Sequence, residues 1–294
     1  MRIPRTVAVV ALLATACSAQ AVGRGLSPAT TSGSADTFMP APDLYVPKDP
    51  DRLADVLART TWALRSSIER WTSGGDPATG KPPRAVRLQA LYQQRIYRFL
   101  ARHEDTARAT LDALPTWARG EAKANIAAGG KLFSLVHPVK RHVRFRVGLP
   151  KPAGVLLGFY REAERRFDVS WAVLAAVNYV ESKFGRVRSN SSAGAQGPMQ
   201  FIPSTWRAYG MGGDVHDPHD AILGAANYLH ASGAPGDNRD ALYAYNHAWA
   251  YVDAVLIYAK RMLSDPRAYY EYYDWQVFIV TVDGDKRLTG PGLP

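Results

Sequence analysis

The chain has 294 residues, 47% of them apolar and 21% charged, which is enough apolar material for one large domain or two small ones. That balance excludes an acidic disordered tail and a collagen-like repeat, and the single cysteine, Cys17, excludes a disulfide framework, a structural zinc cluster or an iron–sulfur site within the chain. The formal net charge of +10 favours anionic surroundings, whether nucleic acid, lipid headgroups or cell-wall polymer, without choosing among them.

Residues 1–16 read as a secretory signal: Arg2 and Arg5 precede an apolar run from Val7 to Ala14, and small residues follow. The run falls far short of the ~20 apolar residues that span a bilayer as a helix. No later stretch is longer, so no membrane span is expected after processing. Leu13-Ala14-Thr15-Ala16-Cys17 resembles a bacterial lipobox, with Ala14 where leucine is usual. That resemblance implies acylation of Cys17 and a lipid anchor. Plain secretion, with cleavage at Ala16 or after Ala21, is the other reading, and both stay open. Either route places the protein outside the cytoplasm, in the cell envelope, and removes nucleic acid from the expected partners. Residues 17–49 are expected to be a flexible linker, since positions 18–37 are rich in Ser, Ala, Gly, Thr and Pro and hold no aromatic residue.

Residues 50–150 are expected to form a helical module and a connector. Leu53, Val56, Leu57, Leu64, Ile68 and Trp71 recur at helical spacing and stop at Gly74-Gly75. A second helix carries Leu88, Leu91, Tyr92, Ile96, Phe99 and Leu100, and a third opens at Pro115 and runs toward Leu135, weakened by Gly129-Gly130. Residues 139–147 alternate Val143, Phe145 and Val147 with Arg144 and Arg146, which suggests a short extended segment with a solvated basic face.

Residues 151–265 carry the densest helical patterning. Helices are expected from Val155 to Phe167, Ser170 to Phe184, Ser204 to Tyr209, Pro218 to Leu229 and Asp237 to Leu263, the last broken near Asn246-His247. Residues 266–294 form a tail, in which the β-branched run Val277 to Val282 followed by Asp283-Gly284 predicts a two-stranded hairpin.

The chemistry concentrates between Glu181 and Tyr251. Ser170 is placed to cap a helix whose apolar stripe is Val173, Leu174, Val177, Val180 and Phe184. Glu181 falls on or beside that stripe at the helix C-terminus. There the dipole and a partly dry environment both favour a protonated carboxyl, as a general acid requires. Residues 182–213 contain no second acid. They do contain Gly194 to Trp206, a tightly turned loop whose Met, Gln, Phe and Trp suit a sugar-binding wall. Asp214, His216, Asp217, His219 and Asp220 crowd seven positions. Helix-start chemistry accounts for part of that crowding, and no metal is expected.

Four motifs in this order resemble the soluble-lytic-transglycosylase-like domain of bacterial cell-wall enzymes, related in fold to goose-type lysozyme. They are Glu181-Ser182, Gly197-Pro198-Met199-Gln200, Ala244-Tyr245-Asn246 and Tyr251-Val252, with Pro198 and His247 departing from the usual pattern; the resemblance covers roughly residues 153–264. It implies a mainly α fold: a lysozyme-like helical catalytic domain preceded by a helical module and followed by a small β-hairpin. It also implies a lytic transglycosylase of peptidoglycan strands that uses no cofactor. Glu181 would protonate the bond between N-acetylmuramic acid and N-acetylglucosamine, then act as base while a 1,6-anhydro ring closes. Ser182 would orient the N-acetyl or lactyl group, and Met199, Gln200 and Phe201 would form the subsite wall. Tyr245 would place its hydroxyl near Glu181, and Asn246 and Tyr251 would close the floor. A monomer is expected. The rivals are a hydrolytic muramidase, with Asp214 or Asp217 folding back as a second acid, and a non-catalytic glycan-binding module.

Overall fold

The computed structural model describes residues 38–139 and 145–293. The signal segment and residues 17–37 lie outside the described residues; residues 38–49, expected to belong to the flexible linker, instead lie against α2, where Gln89 donates to the Phe38 carbonyl, Tyr92 to the Tyr45 carbonyl and Arg95 to the Leu44 carbonyl.

Helix α1 (Pro50–Gly74) starts where Asp49 accepts a bond from the Arg52 amide, and it buries Leu53, Leu57, Leu64, Ile68 and Trp71 along one face. Helix α2 (Arg84–Leu100) packs against it with every residue from Leu88 to Gln94 buried. Helix α3 (Glu104–Ala113), which the sequence reading leaves unassigned, buries only Ala107 and Thr110, so no apolar stripe announces it. Helix α4 (Thr116–Phe133) passes through Gly129-Gly130 unbroken. A Cβ at Gly129 would stand 3.0 Å from that of Ala101, so the glycine that weakens the helix locally lets α4 close on the end of α2.

The second half follows the expected order with small shifts at the ends: α5 (Ala153–Phe167), α6 (Trp171–Ser182), α7 (Pro203–Tyr209), α8 (Pro218–Ala231), α9 (Asn238–Tyr245) and α10 (Trp249–Ser264). A further helix, α11 (Arg267–Tyr273), escapes the periodicity argument because it is short and four of its seven residues are tyrosines. Strands β1 (Phe278–Thr281) and β2 (Gly284–Arg287) make the expected antiparallel hairpin, with Phe278 opposite Arg287 and Thr281 opposite Gly284. Arg98 of α2 and Arg102 just beyond its end both pair with Asp285 of that hairpin at 2.9 Å. The described ends of the basic connector run extended: Val139 bridges Thr281 and Val147 bridges Val187. Residues 140–144 lie outside the described residues.

α6 is the axis of the second half. Every residue from Trp171 to Tyr179 is buried, and α5, α8, α10 and α11 surround it, as a helix apolar on all sides requires. Two local expectations need correcting. Ser170 stands at the cap position but its hydroxyl makes no cap bond; Glu164 reaches over instead and accepts from the Trp171 amide at 3.0 Å. Val180 is only half-buried, packed against the core at its edge. α10 packs on α6 and on α4, so one continuous core joins the two halves. Among the described residues no helix is long and apolar enough to cross a membrane.

Candidate active site

The site begins where α6 stops. Lys183 and Phe184 take left-handed backbone, φ 53° and 59°, and turn the chain sharply away from the helix axis. The turn leaves Ser182 enclosed, at 1% exposure. Its hydroxyl donates to the Pro198 carbonyl and accepts from the Gly185 amide at 2.8 Å. Asn178, the one polar residue between Trp171 and Tyr179, donates to the same carbonyl at 2.7 Å while its own oxygen accepts from Tyr160. Two buried side chains of α6 thus clasp the loop that carries Gly197 to Gln200.

That loop is itself tightly specified. Gln196 and Phe201 pair across it, and Gly197 sits at φ 72° with no room for a side chain, since a Cβ would fall 1.8 Å from the Val215 carbonyl oxygen. The Gln200 amide donates back to the Gly197 carbonyl at 2.8 Å. Met199 is fully buried and its carbonyl accepts from the Tyr245 hydroxyl at 2.7 Å. Phe201 is buried against Trp206 and Tyr245, at ring separations of 5.1 and 5.9 Å. Of the three residues expected to form the wall, only Gln200 keeps part of its side chain in solvent.

Glu181 emerges beside this loop, half-buried, and its Oε1 accepts from the Tyr251 hydroxyl at 2.7 Å. Burial pushes its carboxyl up to about 7; the Tyr251 bond and the Lys183 charge pull in the opposite direction without prevailing. Burial lowers the Lys183 amine to about 7, helped by the Arg98 charge. The phenols of Tyr245 and Tyr251 are held well above their ordinary range by burial and by the Glu181 charge, so both stay protonated donors. The Tyr245 hydroxyl is close enough to feel the Glu181 charge, but the direct hydrogen bond to the carboxyl is made by Tyr251. Tyr251 reaches Glu181, and Tyr245 supports the loop. Asn246 terminates α9, and its side-chain oxygen is buried without a partner among the described residues.

Comparison with known proteins places this constellation. The family model described as transglycosylase SLT domain matches residues 159–261, a span that holds Glu181, the clasped loop, Tyr245 and Tyr251. The chain carries a transglycosylase SLT domain. Its fold is therefore lysozyme-like, mainly helical, with the β-hairpin outside the matched span. Membrane-bound lytic murein transglycosylase F of Cellvibrio japonicus (strain Ueda107) is 31% identical over 114 residues, which cover 36% of this chain and 23% of the relative. The similarity thus spans under a quarter of that relative's length. No solved structure matches the chain.

Two residues of the SLT domain escape the motif reading. Asn178 is readable as a lone amide in an apolar run, and Lys183 as a charge two positions from Glu181, but where the Lys183 side chain goes depends on the left-handed turn. The acidic segment before α8 is explained by helix-start chemistry. Asp217 caps the helix, accepting from the His219 and Asp220 amides at 2.8 and 3.2 Å, and Asp220 accepts from the Asp214 amide at 2.9 Å. Asp217, His219 and Asp220 bring potential ligand atoms within 4.8 Å of one another, with His219 engaged by Glu162 at 3.0 Å; His216 is not part of this group.

Proposed function

We propose that the protein is an exported peptidoglycan lytic transglycosylase in which Glu181 serves first as acid and then as base. The observation that carries this reading is a single half-buried carboxyl, titrating near neutrality, whose hydrogen-bond partner is a neutral phenol. Near pH 7 a large fraction of Glu181 holds its proton and can deliver it to the glycosidic oxygen between N-acetylmuramic acid and N-acetylglucosamine. Once ionised, the carboxylate keeps the Tyr251 bond, which steadies the charge while the muramoyl 6-hydroxyl gives up its proton and the 1,6-anhydro ring closes. No water enters the balance.

Glycosidases that consume water pair two carboxylates at a set separation. The groups that set the Glu181 proton affinity are Tyr251 and Lys183, with no acid among them, and Asp214 and Asp217 are engaged in backbone caps. That arrangement supports ring closure over hydrolysis. Because Ser182 and Met199 are enclosed, their contribution is to hold the loop. Gln200, whose side chain keeps part of its surface in solvent, is the group left to meet the sugar. The Arg2/Arg5 signal and the lipobox-like Cys17 support export, with acylation as the finer proposal; the mass of the mature N-terminus decides between lipid and plain secretion.

Mass spectrometry of digested sacculi tests the reaction. Anhydro-muramic ends are expected. Reducing muramic ends would sink the transglycosylase assignment in favour of hydrolysis, and an inert protein that still binds sacculi would leave only a glycan-binding role.

A further inference from the structure

α6 ends in an unusual turn. Lys183, Phe184 and Gly185 follow one another in left-handed backbone, at φ 53°, 59° and 81°. A single left-handed residue, usually glycine, is the common stop for a helix. A phenylalanine in that region is strained, and such strain persists only where the surroundings over-determine it. Here it falls three positions after Glu181, in the turn that decides where the carboxyl points.

The Lys183 and Phe184 amides donate back to the Tyr179 and Asn178 carbonyls at 3.0 and 3.2 Å, and the Phe184 ring is buried among Tyr179, Tyr269 and Tyr273. Arg186 closes the turn from the far side. Its amide and its guanidinium both donate to the Lys183 carbonyl, at 3.3 and 3.2 Å. Arg186 is 7% exposed, and its guanidinium lies over the Tyr273 ring at 4.9 Å. The Tyr273 hydroxyl donates to the Lys151 carbonyl at 2.9 Å, which fixes that ring. Asp274, the next residue and also buried, opposes the guanidinium charge. Tyr273 and Asp274 close α11, beyond residues 159–261, so the seat of Arg186 is built by the segment that follows the SLT domain. Arg186 bonds the turn and not the carboxyl, whose oxygen is held by Tyr251.

We infer that Arg186 is a positioning residue for Glu181: from its seat on Tyr273 it pins the strained turn and so keeps the carboxyl in its half-dry place beside Tyr251, a role that rests on the proposed use of Glu181 as acid and base. The end of α11 thereby belongs to the catalytic architecture, connected to the carboxyl through one guanidinium. Position and charge make opposite demands on the proton of Glu181. Burial is what raises its carboxyl to about 7. A turn released from Arg186 relaxes toward ordinary backbone, the carboxyl gains water and its titration midpoint falls. Mere loss of a positive charge acting through space would raise the midpoint instead.

The test uses the full-length mature protein with isotope-labelled glutamate carboxyls, titrated by NMR, the Glu181 signal being assigned by its absence in Glu181→Gln. In Arg186→Met the Glu181 midpoint is expected to fall by about one unit or more. Arg186→Lys, which keeps a donor and a cation over the ring, should recover most of that fall. Asp274, already pushed up to about 7 by burial against the pull of Arg186 and Arg87, takes a proton in Arg186→Met, so no bare buried charge is left to unfold the variant. Tyr273→Leu removes the seat and leaves Arg186 in place; it should shift the midpoint in the same direction, and it decides the matter if Arg186→Met does not fold. On soluble glycan strands the matching result is a kcat lower by about tenfold with KM within about twofold. A Glu181 midpoint that stays in place or rises in folded Arg186→Met or Tyr273→Leu overturns the inference, whatever the strands show. A parent that leaves reducing ends or cuts nothing, while the midpoint falls as expected, overturns the proposed reaction instead and keeps Arg186 as the residue that places Glu181.

Discussion

Two glutamates on helices of this protein are withdrawn from water, and they are put to opposite uses by their company. Glu121 of α4 is buried between Arg65 of α1 at 2.5 Å and Arg261 of α10 at 2.9 Å, with Gln93 donating to its other oxygen at 3.3 Å. Glu181 of α6 has one phenol at 2.7 Å and no guanidinium bonded to it. The first is a strut that ties three helices through fixed charge. The second keeps a proton that can leave and return. Burial alone does not make a catalytic acid; burial among neutral partners does.

The comparison breaks first at Glu181. Glu181→Gln keeps the shape and the Tyr251 contact but has no proton to give, so anhydro-product formation is expected to fall about 10³-fold, within the range for loss of a general acid. The variant should melt no lower than the parent. Near-parental turnover in Glu181→Gln would end the assignment of Glu181 as the acid.

The same substitution at Glu121 should act on stability instead of rate. Glu121→Gln leaves two guanidiniums facing a neutral amide in the core, a loss of about 3 kcal/mol, at the low end for a broken buried pair. The low end applies because Glu271, now held protonated by burial and by the Glu121 charge, can ionise and take over part of the pairing. Denaturant titration measures it, and the rate per folded molecule should stay within about twofold at low temperature. A stable Glu121→Gln protein with impaired catalysis would show that the strut reading is wrong.

Much of this contrast was legible in the sequence, but unevenly. Glu181 stands out because it ends a run that is apolar all round, and a carboxyl in such a run needs a reason. Glu121 does not stand out: it sits in an Ala- and Gly-rich helix where any face could be outward, and its partners come from positions 65 and 261, which only the packing of α1 and α10 on α4 brings together. The helices with clean periodicity were readable for the same reason, and α3 and α11 were not, one having almost no buried face and the other almost no polar one. Tyr251, which bonds Glu181, stands on α10 beyond the break after α9, and α10 packs on α6. Motif order alone does not say which of the two hydroxyls reaches the carboxyl.

Tyr251→Phe is a finer probe of the same company. The hydroxyl donates to Glu181 and favours its ionised form. Without it the carboxyl moves further above 7, becomes a weaker acid and loses the donor that steadies the carboxylate before ring closure. A fall in rate of about tenfold is expected, in keeping with one hydrogen bond to a charged group. Activity that requires protonated Glu181 declines as pH rises through its titration, so the alkaline limb of the pH–rate profile should move to higher pH in the variant. A limb that stays in place, or moves down, would mean that Tyr251 does not set the proton affinity of Glu181.

The smallest effect is thermodynamic. Glu181 titrates near 7 in the folded protein, while an unfolded glutamate titrates near 4.3. Between those values the folded state binds the proton and the unfolded state does not, so stability is highest below about pH 4 and falls as pH rises through 7. The cost above pH 7 is that of an ionised carboxylate in a half-dry site, offset only by Tyr251 and Lys183. Glu181→Gln never incurs it. The melting temperatures of parent and variant should therefore coincide near pH 4 and separate by a few degrees above pH 8, with the variant higher. Taking the difference between the two proteins matters, because Lys183 and Asp274 also titrate near 7 and shape the absolute curve of both. Curves for Glu181→Gln and the parent that run parallel from pH 4 to pH 8 would show that Glu181 ionises as an ordinary surface carboxylate, and the distinction between strut and acid would then have to rest on position alone.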